Sequence, residues 1–170
     1  MVLKEIILRP IGVIHVGLSD DEVRLAPWGV EGVVEVFPEF EEGLDGIEGF
    51  SHIIIIAYLH KVSEKQRKVL RVRHRRLERL GVDLTGIPEV GVFCTDSPHR
   101  PNPIAISIVE LVERRGRFLR VRGLDLFDGT PVLDIKAYDP TRCVKDIRVP
   151  WWVEELEKRV RRVLGEPKFL

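Results

Sequence analysis

The sequence predicts a mainly β fold with a C-terminal helix, and three observations carry that reading. Strand-length apolar segments recur between residues 11 and 138, separated by turns rich in Gly, Pro and Asp. A 3.6-residue apolar period is sustained only after Pro150. Strands do not alternate with long helical patterns, so a barrel or sandwich with short helical insertions is favoured over a doubly wound α/β sheet. At 170 residues the chain has room for one domain with an appendage and a sizeable core.

Each element has its own signal. In the first strand Ile11, Val13 and His15 share one face, while Gly12, Ile14 and Val16 share the other; the region leading into it, from residue 1, reads as the start of the same strand. Residues 18–29 hold Ser, Asp, Pro and Gly and read as a loop. A second strand covers 32–37 and stops at Pro38. Residues 51–59 are apolar on both faces, which predicts a central strand buried on both sides. Ser63 with Gln66 forms a capping-box pattern that opens a helix. Beyond it Val69, Leu70, Val72, Leu77 and Leu80 fall on one helical face with Gly81 as stop, yet Leu70-Arg71-Val72-Arg73 alternates as a strand does. Both readings stay open there. Strands follow over 90–95, 104–112 and 117–122, the last two joined by a turn at Arg115-Gly116, and over 132–138 after the turn Asp128-Gly129-Thr130-Pro131. Pro150 suits the first turn of a helix whose stripe is Trp151, Trp152, Leu156, Val160, Val163 and Leu164, with Gly165 as its end.

Composition narrows the class. Apolar residues at 44% and charged residues at 32% describe a soluble globular chain and exclude a disordered one. The longest apolar run, residues 53–59, is strand-sized and well short of the ~20 residues of a membrane span. Met1-Val2-Leu3-Lys4-Glu5 carries no signal-peptide pattern, and two cysteines, Cys94 and Cys143, make no disulfide framework, so a cytoplasmic, reducing setting is expected. Cys94, His99 and Cys143 also lack zinc-like spacing, and no metal is expected. Arg and Glu abound while Asn102 and Gln66 are the sole amides, a thermophile-like composition.

The formal charge is zero, which excludes nucleic-acid binding by bulk charge alone. That balance hides a segregation: residues 31–48 carry seven acids and no Lys or Arg, while 61–79 carry nine bases and two acids. The basic block can contact RNA phosphates, or can simply be a solvated face; in a homodimer it can also face the acidic block of a second chain.

Two stretches carry candidate chemistry. Pro98-His99-Arg100-Pro101-Asn102-Pro103 contains three prolines, which fix φ and remove three backbone donors. The result is a rigid loop presenting Arg100, a planar fork for phosphate or carboxylate, and Asn102, a combined donor and acceptor. A purely structural turn is the alternative, and the survival of Asn102 in a chain stripped of amides favours function. In the second stretch, residues 124–136, Asp128-Gly129 is an ordinary turn signal, so an Asx-turn is the simpler reading. The functional alternative makes Asp125 or Asp128 an acceptor for a ligand hydroxyl or for a proton. His52 and His60 bracket the central strand, and eight residues of strand hold them too far apart, roughly 26 Å, to share a metal. His52 reads as a core histidine, and His60-Lys61 at the strand exit is better placed for a ligand.

Gly91-Val92-Phe93-Cys94-Thr95-Asp96-Ser97-Pro98-His99-Arg100-Pro101-Asn102-Pro103-Ile104 resembles a signature of the TrmO/TsaA-like family. Leu124-Asp125-Leu126-Phe127-Asp128-Gly129-Thr130-Pro131-Val132-Leu133-Asp134-Ile135-Lys136 resembles its second signature, and Ile11-Gly12-Val13-Ile14 and the stretch from Leu44 to His60, including Phe50-Ser51-His52, fit as well. The resemblance covers residues 8–140, which sets a barrel domain over 1–140 and a helical extension over 141–170. It implies an antiparallel β-barrel, a homodimer, and an S-adenosyl-L-methionine-dependent methyltransferase acting on N6 of threonylcarbamoyl-adenosine beside a tRNA anticodon. It places the cofactor near His60, Lys61, Asp96, Ile106, Leu124, Asp125, Asp128, Gly129 and Thr130, with Arg100 and Asn102 positioning and Asp125 or Asp128 taking the proton. Two departures stand out. The family's early Pro-Arg-Gln element is represented only by Arg24, and Asp96 stands where many members have Arg. Methylation of a small molecule and a non-catalytic adenosyl-ligand-binding dimer are the competing functions.

Overall fold

The computed structural model describes residues 6–167. Six antiparallel strands close into a barrel in the order β1 (Gly12–His15), β2 (Val30–Val36), β7 (Phe118–Leu124), β6 (Ile104–Arg115), β3 (His52–Tyr58) and β8 (Pro131–Ala137). The part of the first-strand reading that falls on residues 1–5 lies outside the described residues. Between β3 and β6 the chain leaves the barrel for an excursion of α2 (Glu64–Arg67), β4 (Arg71–Val72), α3 (Arg75–Arg79) and β5 (Val90–Gly91), with β4 and β5 paired to each other. A short helix, α1 (Asp20–Leu25), links β1 to β2, and α4 (Trp151–Leu164) ends the described chain.

Period-two patterning fills the barrel. Ile14, Val34, Val36, Ile53, Ile55 and Leu119 point inward and are fully or almost fully buried. Gly12 lets β1 approach β2: a Cβ there would sit 2.3 Å from the Glu35 carbonyl oxygen. Gly116, at φ +58°, makes the β6–β7 turn where the sequence placed it.

Several expectations change in detail. Residues 18–29 are not all loop. Ser19 caps α1 and the Glu22 carboxylate accepts from the Ser19 backbone N–H, a capping box that the loop reading passed over. Over 69–80 neither open reading wins outright: a two-residue strand gives way to the short α3, which ends before Gly81 at φ +87°. The strand expected over 90–95 becomes β5 followed by a 3-10 turn, Val92–Cys94. β3 is paired on both edges, with β6 and β8, but its outer face is not buried as expected: Ile54, Ile56 and Tyr58 are only half-buried, and His52 lies on that outer face and not in the core. On α4 the packed residues are Trp152, Leu156 and Val160, while Trp151 and Val163 face outward.

Charges on the outer wall pair within the chain. Glu31 accepts from Arg120 and Arg122 across the β2–β7 ladder at 2.9 and 3.3 Å. Glu35 sits between Arg117 and His15, and Arg114 spans Asp45 and Glu48. The bond from Arg120, ahead of that from Arg122, holds the Glu31 carboxyl below its usual range, and Arg117 followed by His15 does the same for Glu35. Four acids of the acidic block are thus neutralised by arginines of β6, β7 and their turn. That weakens the expectation that this block faces the basic block of a second chain.

The tail packs on the excursion. Arg159 donates to the carbonyls of Asp83 and Thr85 at 2.9 and 2.8 Å, and Trp28 Nε1 donates to the Leu164 carbonyl at 3.3 Å. The Trp152 ring lies 5.4 Å from that of His74. These contacts fasten α4 to the residues on either side of α3 and to the loop between α1 and β2.

Leu119→Ala is expected to lower stability by about 2–5 kcal/mol, because it empties a fully buried site between inward-facing neighbours. Gly12→Ala should also destabilise, through backbone displacement at the β1–β2 contact. Denaturant unfolding measures both; a Gly12→Ala midpoint equal to that of the parent would refute the close-approach argument.

Candidate functional site

Chain direction gathers the exit of β3, the start of β6, the end of β7 and the start of β8 at one end of the barrel. α1 lies over the same end. The second signature turn bends between β7 and β8, and its residues divide by burial. Leu124 and Leu126 sink into the core, which turns Asp125 out at the lip. Ser107, 6% exposed and inward-facing on β6, donates to Asp125 Oδ1 at 2.5 Å. A hydroxyl inside an apolar barrel needs an acceptor, and Asp125 supplies it while its second oxygen faces out.

Asp128 is held differently. Its Oδ1 accepts from the Val16 backbone N–H at 2.9 Å, tying the turn to the end of β1. It also lines an open cleft of about 560 Å³ with His15, Gly17, Gly32 and Arg120. Gly129, at φ +74°, allows the turn, and the Thr130 hydroxyl donates to the Phe127 carbonyl at 2.7 Å. Thr130 and the Leu124 side chain are buried, so of these two only the backbone can meet a ligand.

Lys61 and Arg24 approach the Phe127 ring at 5.3 and 5.2 Å. Asp20 accepts from Lys61 Nζ at 2.7 Å, and Asp21 pairs with Arg24. The sequence had offered Arg24 as the remnant of an early family element; the structure sets it beside Lys61 and the second signature. Phe127 and Asp20 were missed, because their contacts with Arg24 and Lys61 join segments far apart in sequence, which no local motif announces. His60, beside Lys61, is held below the ordinary imidazole value, first by burial and then by the Lys61 charge, against the opposing pull of Asp20.

The proline-rich loop is cross-braced. Arg100 Nη1 donates to the carbonyls of Thr95 and Ser97 at 3.0 and 3.5 Å, so part of its fork is spent inside the loop. Gln66 Oε1 accepts from the Ser63 backbone while its Nε2 lies 3.0 Å from His99 Nε2, which clamps the loop to α2. The Pro103 carbonyl accepts from the Leu59 N–H at 2.8 Å, fixing the loop beside the β3 exit and thus beside His60 and Lys61. Asp96 and Asn102 are exposed, and the Asn102 side chain has no partner among the described residues.

Ile106 stands apart from these groups. It neighbours Ser107 in sequence, yet its side chain points to the outer wall and is 69% exposed. Among the described residues no three His, Cys, Asp or Glu side chains gather as a metal site.

Comparison with known proteins supports one assignment. The model of the tRNA-methyltransferase O N-terminal domain matches residues 25–142. A probable S-adenosyl-L-methionine-binding protein of Pyrococcus abyssi is 44% identical over 160 residues, covering 91% of this chain and 78% of the relative. A mouse tRNA (adenine(37)-N6)-methyltransferase is 39% identical over 103 residues, which is 61% of this chain but 22% of that protein. A crystal structure of TrmO superposes with a TM-score of 0.63 at 33% identity, covering 85% of this chain and 63% of the other. The six-stranded barrel, its second-signature turn and these matches agree, and the chain belongs to the TrmO family, through that family's N-terminal domain.

Proposed function

We propose that the protein is an S-adenosyl-L-methionine-dependent methyltransferase that modifies N6 of an adenine in tRNA, with threonylcarbamoyl-adenosine beside the anticodon as the acceptor. The single observation that carries this is the pair of carboxylates on one turn, Asp125 and Asp128, each fixed through one oxygen and each exposed through the rest. The residues suit the cofactor: exposed Asp125 for ribose hydroxyls, Lys61 for a carboxylate in exchange for Asp20, and the Phe127 ring for apolar or cationic contact. When bound, S-adenosyl-L-methionine supplies a methyl group activated on a sulfonium.

The chain's own residues do the rest. Asp125, beside the β6 strand, serves the cofactor side, and Asp128, lining the open cleft, serves the acceptor side. N6 of the acceptor, a urea-type nitrogen with one hydrogen, must lose that proton as the methyl group arrives, and Asp128 takes it. The loop of Arg100 and Asn102 is rigid before binding, so positioning costs little ordering. Asn102 offers a donor and an acceptor to a base edge, and unlike Gln66 its amide is not consumed by the fold. The mouse relative's named reaction supports adenine N6 as the acceptor atom. Residues 1–140 act as the catalytic barrel and 141–170 as a buttress for the basic excursion. No helix of the described residues is long and apolar enough to cross a membrane, and the cytoplasm, where tRNA is modified, is the proposed place of work.

A homodimer forms part of this reading. Ile54, Ile56 and Tyr58 of β3 lie opposite Ile108, Ile106 and Ile104 of β6, an outward apolar face that spans two strands. Contiguous exposed apolar surface of this kind marks an interaction site. A second copy covers it, which also brings Ile106 into a buried setting.

Mass spectrometry of nucleosides from tRNA incubated with protein and cofactor should show a new N6-methyl group. Its absence on every tRNA, despite cofactor binding by calorimetry, would sink the reading. Asp128→Asn keeps an acceptor for Val16 N–H, and should cut turnover by about 10²-fold or more while changing cofactor affinity far less. Equal turnover would remove Asp128 from proton transfer. NMR titration should find the His60 imidazole below its ordinary value, and Lys61→Met should raise it by removing a neighbouring positive charge. No change in Lys61→Met would mean that Lys61 does not sit beside His60. Light scattering should report a dimer that Ile108→Glu converts to monomer, and a dimeric Ile108→Glu would place the interface elsewhere.

A further inference from the structure

We infer that the cavity between α3 and the loop at residues 84–88 is a phosphate pocket that grips the tRNA backbone away from the methylation site; this rests on the proposed RNA substrate. The cavity measures about 460 Å³, large enough for a phosphate with its sugar. Arg73, His74, Arg75, Glu78 and Arg79 line its polar side, and Leu84, Ile87 and Pro88 its apolar side. Three guanidiniums against one carboxylate leave a positive excess.

The partners of these groups sharpen the reading. Arg73 shares Glu89 with Arg71, at 3.7 Å. Arg75 and Arg79 have no ion-pair partner among the described residues. His74 Nδ1 is buried and has no hydrogen-bond partner among the described residues, although native structures rarely leave a buried ring nitrogen so. A phosphate meets all three needs together: its oxygens accept from two planar forks and from an imidazole N–H. An apolar ligand would leave the forks and the nitrogen unsatisfied. Glu78 limits the pocket to one or two negative charges, which suits a phosphodiester.

The pocket is built into the scaffold on two sides. The Trp152 ring of α4 lies against the His74 ring, tilted 45° to it at 5.4 Å between centroids, so the tail helix braces the imidazole. Arg76 of α3 donates to the Arg24 and Ala26 carbonyls at 2.9 and 2.7 Å, which locks the pocket's helix to the segment that carries Arg24 beside Phe127. A phosphate held by α3 therefore sets the register of an RNA strand relative to the site at the barrel end.

The test is the salt dependence of tRNA binding by the full chain, read by fluorescence anisotropy. Arg75→Gln/Arg79→Gln should weaken binding by about tenfold at moderate salt and make the log–log salt slope shallower by about 1 to 2. Its affinity for S-adenosyl-L-methionine and its thermal midpoint should match the parent. Lys65→Gln/Lys68→Gln, which removes the same charge from outside the cavity, should change the affinity less. An unchanged slope in the arginine variant overturns the pocket, as does an equal loss in the lysine variant, which would mean bulk attraction. Calorimetry with inorganic phosphate separates a free-anion site: sub-millimolar phosphate binding with an unaltered tRNA slope also overturns it. If the parent methylates tRNA and the arginine variant binds it equally well, the pocket alone fails. If the parent neither binds nor methylates tRNA, the proposed function fails with it.

Discussion

Everything in this molecule hangs on how the barrel closes. The ladder between β1 and β8 has two register pairs, Gly12↔Val132 and Val13↔Pro131, where β3 and β6 share seven. Pro131 has no N–H to give, so the seam is completed outside the ladder. Ile11 N–H reaches the Val132 carbonyl, Ile14 and Gly129 or Thr130 exchange backbone bonds in both directions, and Asp128 takes the Val16 N–H. An open seam would expose two strand edges. The turn that carries the proposed chemistry is therefore the clasp of the fold, and Asp128 reaches its cleft already oriented because it is also a structural acceptor.

Charge is distributed by the same logic. The acids of β2 and of the stretch after it meet the arginines of β6, β7 and their turn across the outer wall, so these charges are neutralised within the chain. Individually such exposed pairs contribute little to stability, because solvent screens them. Their larger consequence is what they leave over. The excursion between β3 and β6 finds few acids nearby beyond Glu64, Glu78 and Glu89, so its bases remain in surplus. Zero net charge is thus compatible with a strongly basic face, and that face is attached to the end of the barrel where the signature residues gather.

Much of this was legible before folding, and the limits have physical causes. The β6–β7 hairpin, the capping box at Ser63 and the tail helix depend on neighbours in sequence, and each was readable from Gly116, Gln66 and the apolar stripe after Pro150. The outer face of β3 was misread because an apolar residue shows that a side can be covered, not what covers it: Ile54 and Ile56 stay half-exposed, with no second layer over them among the described residues. Short elements such as α1 and α3 escaped because one turn of helix leaves hardly any periodicity. At the site, the signatures pointed to Asp125, Asp128, Lys61 and the proline-rich loop. What they could not supply was long-range partnership. Ser107 on Asp125, Val16 on Asp128 and Phe127 between Lys61 and Arg24 are contacts that only closure of the barrel creates.

The two rare amides show how a composition becomes an argument once structure is added. A chain that has shed nearly every Asn and Gln keeps those whose bonds no other side chain reproduces. Gln66 uses its oxygen to cap α2 and its nitrogen to reach His99, a double role that Glu or Lys could fill only in half. Asn102 has no such duty, and it stands on a loop whose φ angles are fixed by prolines on both sides and whose carbonyls are gripped by Arg100. Ordering that loop is part of folding, so nothing further is lost when a ligand arrives. A donor–acceptor pair held rigid, exposed and unused by the fold is what recognition of a base edge requires. Arg100, by holding the Thr95 and Ser97 carbonyls, stiffens the loop that presents the amide.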